Sequence, residues 1–252
     1  LYMIVDAIIV GRGVGVKALA ALGATDWIYW MVLWTVQSLT QGFSILITQN
    51  FGSKDYEALK RSITVSAALC AVFGGLLTIV SLVATRPMLL LLKTPADILA
   101  GAESYLYIMF GGTLIITAYN MASSMLRSFG DGKTPLIAMG IAAGTNIVLD
   151  LVFVMGFGWG IAGAAAATLI AQLISFLYCL RVLGKIPFLQ LRRTDWKLDR
   201  SDMATGRALC RLGLPLAFQH LVIAAGGMIL QSVINSYGFL FVAGFTATNQ
   251  LY

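Results

Sequence analysis

Charge is scarce in this chain. Asp, Glu, Lys and Arg make up only 11% of its 252 residues, where a soluble domain carries about 25%. Histidine occurs once, and the three cysteines, Cys70, Cys179 and Cys210, lie far apart with no CxxC or Cys/His spacing. A zinc site, a redox pair and a disulfide framework are therefore not expected, and the thiols read as small packing residues. No phosphate loop, metalloprotease helix or nucleophile elbow is present. Gly11-Arg12-Gly13-Val14-Gly15 lacks the strand-then-helix context of a dinucleotide site and reads as a loop. No enzymatic chemistry and no cofactor are expected.

What is present is apolar length. Hydrophobic residues reach 59% and the mean hydropathy is +0.86, with none of the alternation of a barrel strand. This predicts an all-α, polytopic transmembrane bundle. Complete spans are expected at 24–49, 62–85, 100–125, 135–157, 160–182 and 215–237, each above the roughly 20 residues that cross ~30 Å of hydrocarbon. Leu1–Val10 and Phe239–Tyr252 are apolar but shorter, and are expected to be halves of two further spans of a longer protein.

Thirteen of the seventeen Lys and Arg fall in one set of loops, and only Arg12, Lys17, Arg86 and Lys93 in the other. The first set is therefore expected on the cytoplasmic side. The net charge of +6 follows from this bias, which serves anionic membrane lipid rather than nucleic acid. Residues 184–206, with Arg192, Arg193, Asp195, Lys197, Asp199 and Arg200, read as a solvated linker between a lobe at 1–183 and a second unit at 207–252.

Two further features point to transport. Leu19–Tyr29 and Val242–Tyr252 share Ala, Ala, Thr and Tyr at an offset of 223, and an even number of spans separates them. That is the arrangement of parallel repeats in transporters. Asp6 and Asp150 also lie inside apolar spans. A mid-membrane carboxylate costs roughly 2.5–3.5 kcal/mol on the lenient insertion scale, so it normally faces a polar cavity or a cation.

Val5-Asp6-Ala7-Ile8-Ile9-Val10-Gly11 followed by Ala18-Leu19-Ala20-Ala21-Leu22-Gly23 resembles the opening of multidrug and toxic compound extrusion (MATE) transporters. So do the run Leu126–Pro135, the run Asn146-Ile147-Val148-Leu149-Asp150, the run Gly160–Ala165, and Gly213-Leu214-Pro215. The resemblance implies twelve helices in two lobes, of which this chain would supply one six-helix lobe and the start of the second. It also implies that Asp6, Asn146, Asp150 and Thr168 bind the coupling Na⁺ or H⁺, Na⁺ being the metal if coupling is to sodium.

The residues themselves fit that assignment. Asn146 and Asp150 are spaced i, i+4 and share a helix face. Counted from a turn near Gly156–Gly160, Asp150 and Thr168 lie roughly 12 and 15 Å deep, and Asp6 lies roughly 6–8 Å from its own helix end. Carboxylate, amide and hydroxyl oxygens suit a hard cation, and the Asp6 and Asp150 carboxyls are expected within about 10 Å of each other, one helix diameter.

Tyr119, Asn120, Gln172 and Met31 are candidate substrate contacts. Helix–helix hydrogen bonding is an equal alternative for Tyr119 and Asn120, and calls for the same caution at Gln172. Met31, Met121, Met125 and Met155 otherwise read as core. Gln49 reads as a cap or packing contact. His220 reads as structural or as lining a central cavity. The expected function is a cation-coupled antiporter in the cytoplasmic membrane that exports small organic, cationic compounds. The alternatives are a lipid-linked sugar flippase of the same superfamily, and an inactive half-transporter or membrane scaffold.

Overall fold

A computed structural model describes residues 2–189, 193–196 and 202–249. Side chains of residues 2–7, Asp6 among them, lie outside the described set, as do Arg192, Lys197, Asp199, Arg200 and the repeat positions 250–252. The described residues form nine α-helices: α1 (Tyr2–Gly13), α2 (Val16–Gly52), α3 (Tyr56–Leu91), α4 (Ala96–Gly111), α5 (Thr113–Ser128), α6 (Lys133–Asp150), α7 (Gly160–Leu183), α8 (Asp202–Asn235) and α9 (Phe239–Asn249). Five are long and apolar enough to cross a bilayer, or six if α4 and α5 count as one bent span.

Short polar turns separate the helices. Gly52-Ser53 ends α2, Lys54 turns with φ 61°, and Asp55 caps α3 by accepting from the Ala58 N–H at 3.0 Å. Asp131 does the same ahead of α6. Its two carboxylate oxygens accept from the Thr134 N–H at 2.9 Å and the Thr134 hydroxyl at 2.6 Å. These bonds, the hydroxyl's foremost, hold the Asp131 carboxyl below the usual carboxylate range.

The structure changes several boundaries. Residues 100–125 do not form one straight span: α4 and α5 meet at a bend of 49°. Its cause is Gly112, whose missing side chain is replaced by the inserted Leu169 of α7. After Asp150 the chain passes into a π-helical stretch, Leu151–Gly156, before turning through Gly158 and Gly160, both with positive φ. The segment expected to be linker up to residue 206 is already helix from Asp202. Asp202 is largely buried and forms an ion pair with Arg61 Nε of α3 at 3.0 Å. Arg86 is not in a loop either. It lies within α3 with its Nε 3.6 Å from Glu103 of α4.

Lipid gives no hydrophobic drive between helices, so small residues that admit close approach set the packing. The long central helix α2 is flanked by α3, α4, α5, α8 and α9. Gly42 of α2 meets the backbone of Gly213 of α8, Trp27 lies over Gly227, and Gly23 meets the Thr246 side chain of α9. The α2–α8 seam is therefore antiparallel. Midway along it, His220 Nδ1 lies 2.8 Å from Ser38 Oγ and 3.0 Å from the Leu216 carbonyl. Ser38 gives its own proton to the Trp34 carbonyl at 2.7 Å, so Nδ1 carries a proton and donates. His220 thus serves as a structural link across the seam. At the far end Gln231 donates to Asn235 at 2.9 Å, and Asn235 donates to the Leu92 carbonyl at 2.8 Å.

Candidate cation site

Four helices converge where α1 turns into α2 and α6 turns into α7. Ile9 and Val10 of α1, Ala18 and Leu22 of α2, Val154 after α6 and Ala164 of α7 form one buried apolar cluster there. One helical turn deeper into the bundle, each of the four chain segments carries a polar residue. These are Asp6 from Val10, Asp26 from Leu22, Asp150 from Val154 and Thr168 from Ala164. The apolar cluster is thus a plug, and a polar layer lies beneath it.

Asp150 is 0% exposed and Asn146 2% exposed. Their i, i+4 spacing on α6 puts them on one face. Asn146 Nδ2 donates to Thr168 Oγ1 at 3.3 Å, and the Thr168 hydroxyl donates to the Ala164 carbonyl of its own helix at 3.0 Å. Asn146 Oδ1 and, one turn below Thr168, Gln172 Oε1 are buried amide oxygens that accept no hydrogen bond from any described residue. An orphaned buried acceptor costs about 1–3 kcal/mol. Asn146 Oδ1, one turn from the buried Asp150 carboxylate on the same face of α6, is a hard oxygen of the kind that could hold a cation together with it.

The π-helical stretch begins at the residue after Asp150. Such turns rotate the following side chains relative to a regular helix and recur at functional sites. Here it returns Val154 to the plug while Asp150 stays in the polar layer. Asp6 occupies the corresponding turn of α1, and its side chain, with the expected Asp6–Asp150 approach, lies outside the described residues.

The other candidates divide. Gln172 lies one turn below the polar layer on α7, its Oε1 buried and without a hydrogen bond from any described residue. Tyr119 packs against the core cluster at the opposite end of the bundle, built around Phe43, Leu59 and Leu126, and Asn120 Nδ2 donates to the Ile116 carbonyl of its own helix at 2.9 Å. Met31, partly buried, packs against the cluster formed by α2, α3, α4, α8 and α9, on the face of α2 opposite Asp26. Met121 and Met125 line an apolar cavity of about 550 Å³ between α3, α5 and α7. Met155 is exposed, and so is Gln49. Asp26 is the residue of the layer that sequence reasoning passes over. Its signal is a carboxylate inside an apolar helix, but the span expected at 24–49 puts it at the membrane edge, whereas α2 already begins at Val16.

The MatE family profile matches residues 1–152. The chain is 33% identical over 253 aligned positions to the probable multidrug resistance protein YpnP of Bacillus subtilis, covering 99% of this chain and 55% of that protein. It is 25% identical to the probable multidrug resistance protein NorM of Thermotoga maritima, covering 86% and 47%. A structure described as the inward-facing conformation of a multidrug resistance MATE family transporter superposes with a TM-score of 0.89 at 27% identity, over 99% of this chain and 57% of the other. The corresponding outward-facing structure gives 0.82 at 27% identity, over 100% and 56%. The chain thus spans about half the length of the relatives it matches.

Proposed function

The chain belongs to the MatE family, and from that premise we propose that it forms the first lobe, with the beginning of the second, of a cation-coupled exporter of small organic cations in the cytoplasmic membrane. Its helices make it a multi-pass membrane protein, and its relatives are multidrug transporters. The observation that carries the coupling is the buried Asn146–Asp150–Thr168 group with its unsatisfied amide oxygen. In this reading Asp150 supplies the charge that holds Na⁺ or H⁺, Asn146 Oδ1 supplies a neutral oxygen, and Thr168 fixes the Asn146 amide so that this oxygen points inward.

Asp6 contributes a second carboxylate from α1, and Gln172 extends the polar layer toward the centre. A bound cation drives transport only through different affinities in the two arrangements of the lobes. In this reading the two arrangements differ at the α2–α8 and α2–α9 seams, where the first lobe meets the start of the second. The test is Asp150→Asn in the full-length transporter, reconstituted in vesicles with Na⁺ and pH gradients imposed separately. Coupled efflux is expected to disappear at unchanged expression, and wild-type rates from the variant would refute the assignment.

A further inference from the structure

Asp26 carries an observation that the cation site does not absorb. It lies ten residues into α2, roughly 15 Å along the helix from Val16, and it is partly exposed. Among the described residues nothing hydrogen-bonds or ion-pairs with it. An ionised carboxylate at that depth without compensation is costly.

The face on which it stands is not a lipid face. At helical spacing it continues through Trp30, Leu33 and Gln37, all partly buried, to exposed Gln41. A lipid-facing stripe looks different, as α3 demonstrates with exposed Val72, Leu76, Ile79 and Val83. Leu33 packs against the buried cluster of α4, α5 and α7, and the acid, the indole and the two amides beside it leave a half-open polar stripe. Trp30 is also the centre of an aromatic group, 5.6 Å from Trp34 and 6.2 Å from Tyr29 between ring centroids.

We propose that Asp26 and Trp30 form a subsite for the positively charged group of a lipophilic organic cation, separate from the Asn146–Asp150–Thr168 group and in the same layer of the bundle. The carboxylate supplies the counter-charge. The indole face, one turn away, supplies a cation–π surface effective within about 6 Å. Asp26 and Asp150 hang from two sides of the same apolar plug, so organic cation and coupling cation occupy neighbouring positions and repel each other. The assignment rests on the exporter reading above and names the substrate contact within it.

The test uses the purified full-length transporter in lipid nanodiscs, with tetraphenylphosphonium as the cationic probe and triphenylphosphine oxide as a neutral one. Asp26→Asn should weaken phosphonium binding roughly ten- to hundredfold, as expected for losing one charge-assisted contact, and leave the neutral probe unaffected. Asp26→Glu should retain phosphonium binding. Trp30→Leu should weaken it and Trp30→Phe should largely keep it, which guards against an Asp26 variant that fails to fold. Raising Na⁺, or lowering the pH, should displace the phosphonium from the wild type. Equal phosphonium binding by wild type, Asp26→Asn and Trp30→Leu overturns this assignment alone. A wild type that ignores the phosphonium overturns both this subsite and the organic-cation part of the proposed function, while the Asp150→Asn efflux measurement decides coupling independently.

Discussion

Asn146 shows how little is needed to make a ligand out of a side chain that could have been mere helix glue. Its amide nitrogen donates to Thr168, and this single bond at 3.3 Å fixes the amide while its oxygen stays buried and unsatisfied. Removing the Thr168 hydroxyl frees the amide to rotate without removing any charge. Thr168→Val in the full-length transporter is therefore expected to raise the half-saturating concentration of the coupling cation by about tenfold, the equivalent of roughly one net hydrogen bond, while Thr168→Ser stays near wild type. The cation dependence of efflux measures this, and an unchanged half-saturation in Thr168→Val would remove Thr168 from the site.

At the scale of elements, caps and kinks decide where the apolar runs begin and end. Asp131 is a clear case, because its carboxylate closes the turn before α6 through two bonds to Thr134. Its folded pKa is depressed, foremost by the Thr134 hydroxyl. The stabilisation is therefore complete above the unfolded value of about 3.9 and is lost as the pH falls through the lower folded value. Asp131→Ala should melt a few degrees below wild type near neutral pH, and the two curves should merge in strong acid. A gap that persists there would mean the cap acts through something other than the ionised carboxylate.

Long apolar runs make α3, α6 and α7 easy to read, because a span needs only length and composition. The bend at Gly112 is invisible in the run 100–125, since it exists only because Leu169 from another helix enters it. The start of α8 is hard to place for the opposite reason. Residues 202–206 are polar enough to read as linker, and what ties them to the bundle is a long-range contact, Arg61 with Asp202. In the site, Asn146 and Asp150 are legible from their spacing and Thr168 from its depth. Asp26 is not, because its role depends on how α2 is rotated within the bundle.

At the scale of the whole molecule, α2 and α9 carry the two segments that match at an offset of 223, and they touch. Gly23 and Thr246 differ in number by the repeat offset of 223, and the space a side chain on Gly23 would need is filled by the Thr246 hydroxyl. If the offset marks two copies related by a two-fold axis, equivalent residues that meet lie on that axis. Gly23→Thr should therefore destabilise the protein by overpacking, about 1–3 kcal/mol, and Thr246→Gly should leave a gap. The exchange Gly23→Thr with Thr246→Gly should recover most of the loss, a coupling readable from the melting temperatures of the four proteins. Losses that simply add would separate this contact from the repeat.

A residue on that axis confronts its own duplicate. In a freshly doubled ancestor the same amino acid would have stood on both sides, and neither choice serves: two threonines collide and two glycines leave a void. The two halves were thus obliged to part company at this point, one shrinking as the other grew. The divergence is confined to the colliding pair: beside it Ala20 answers Ala243 and Ala24 answers Ala247, the same small residue kept on both sides of the seam.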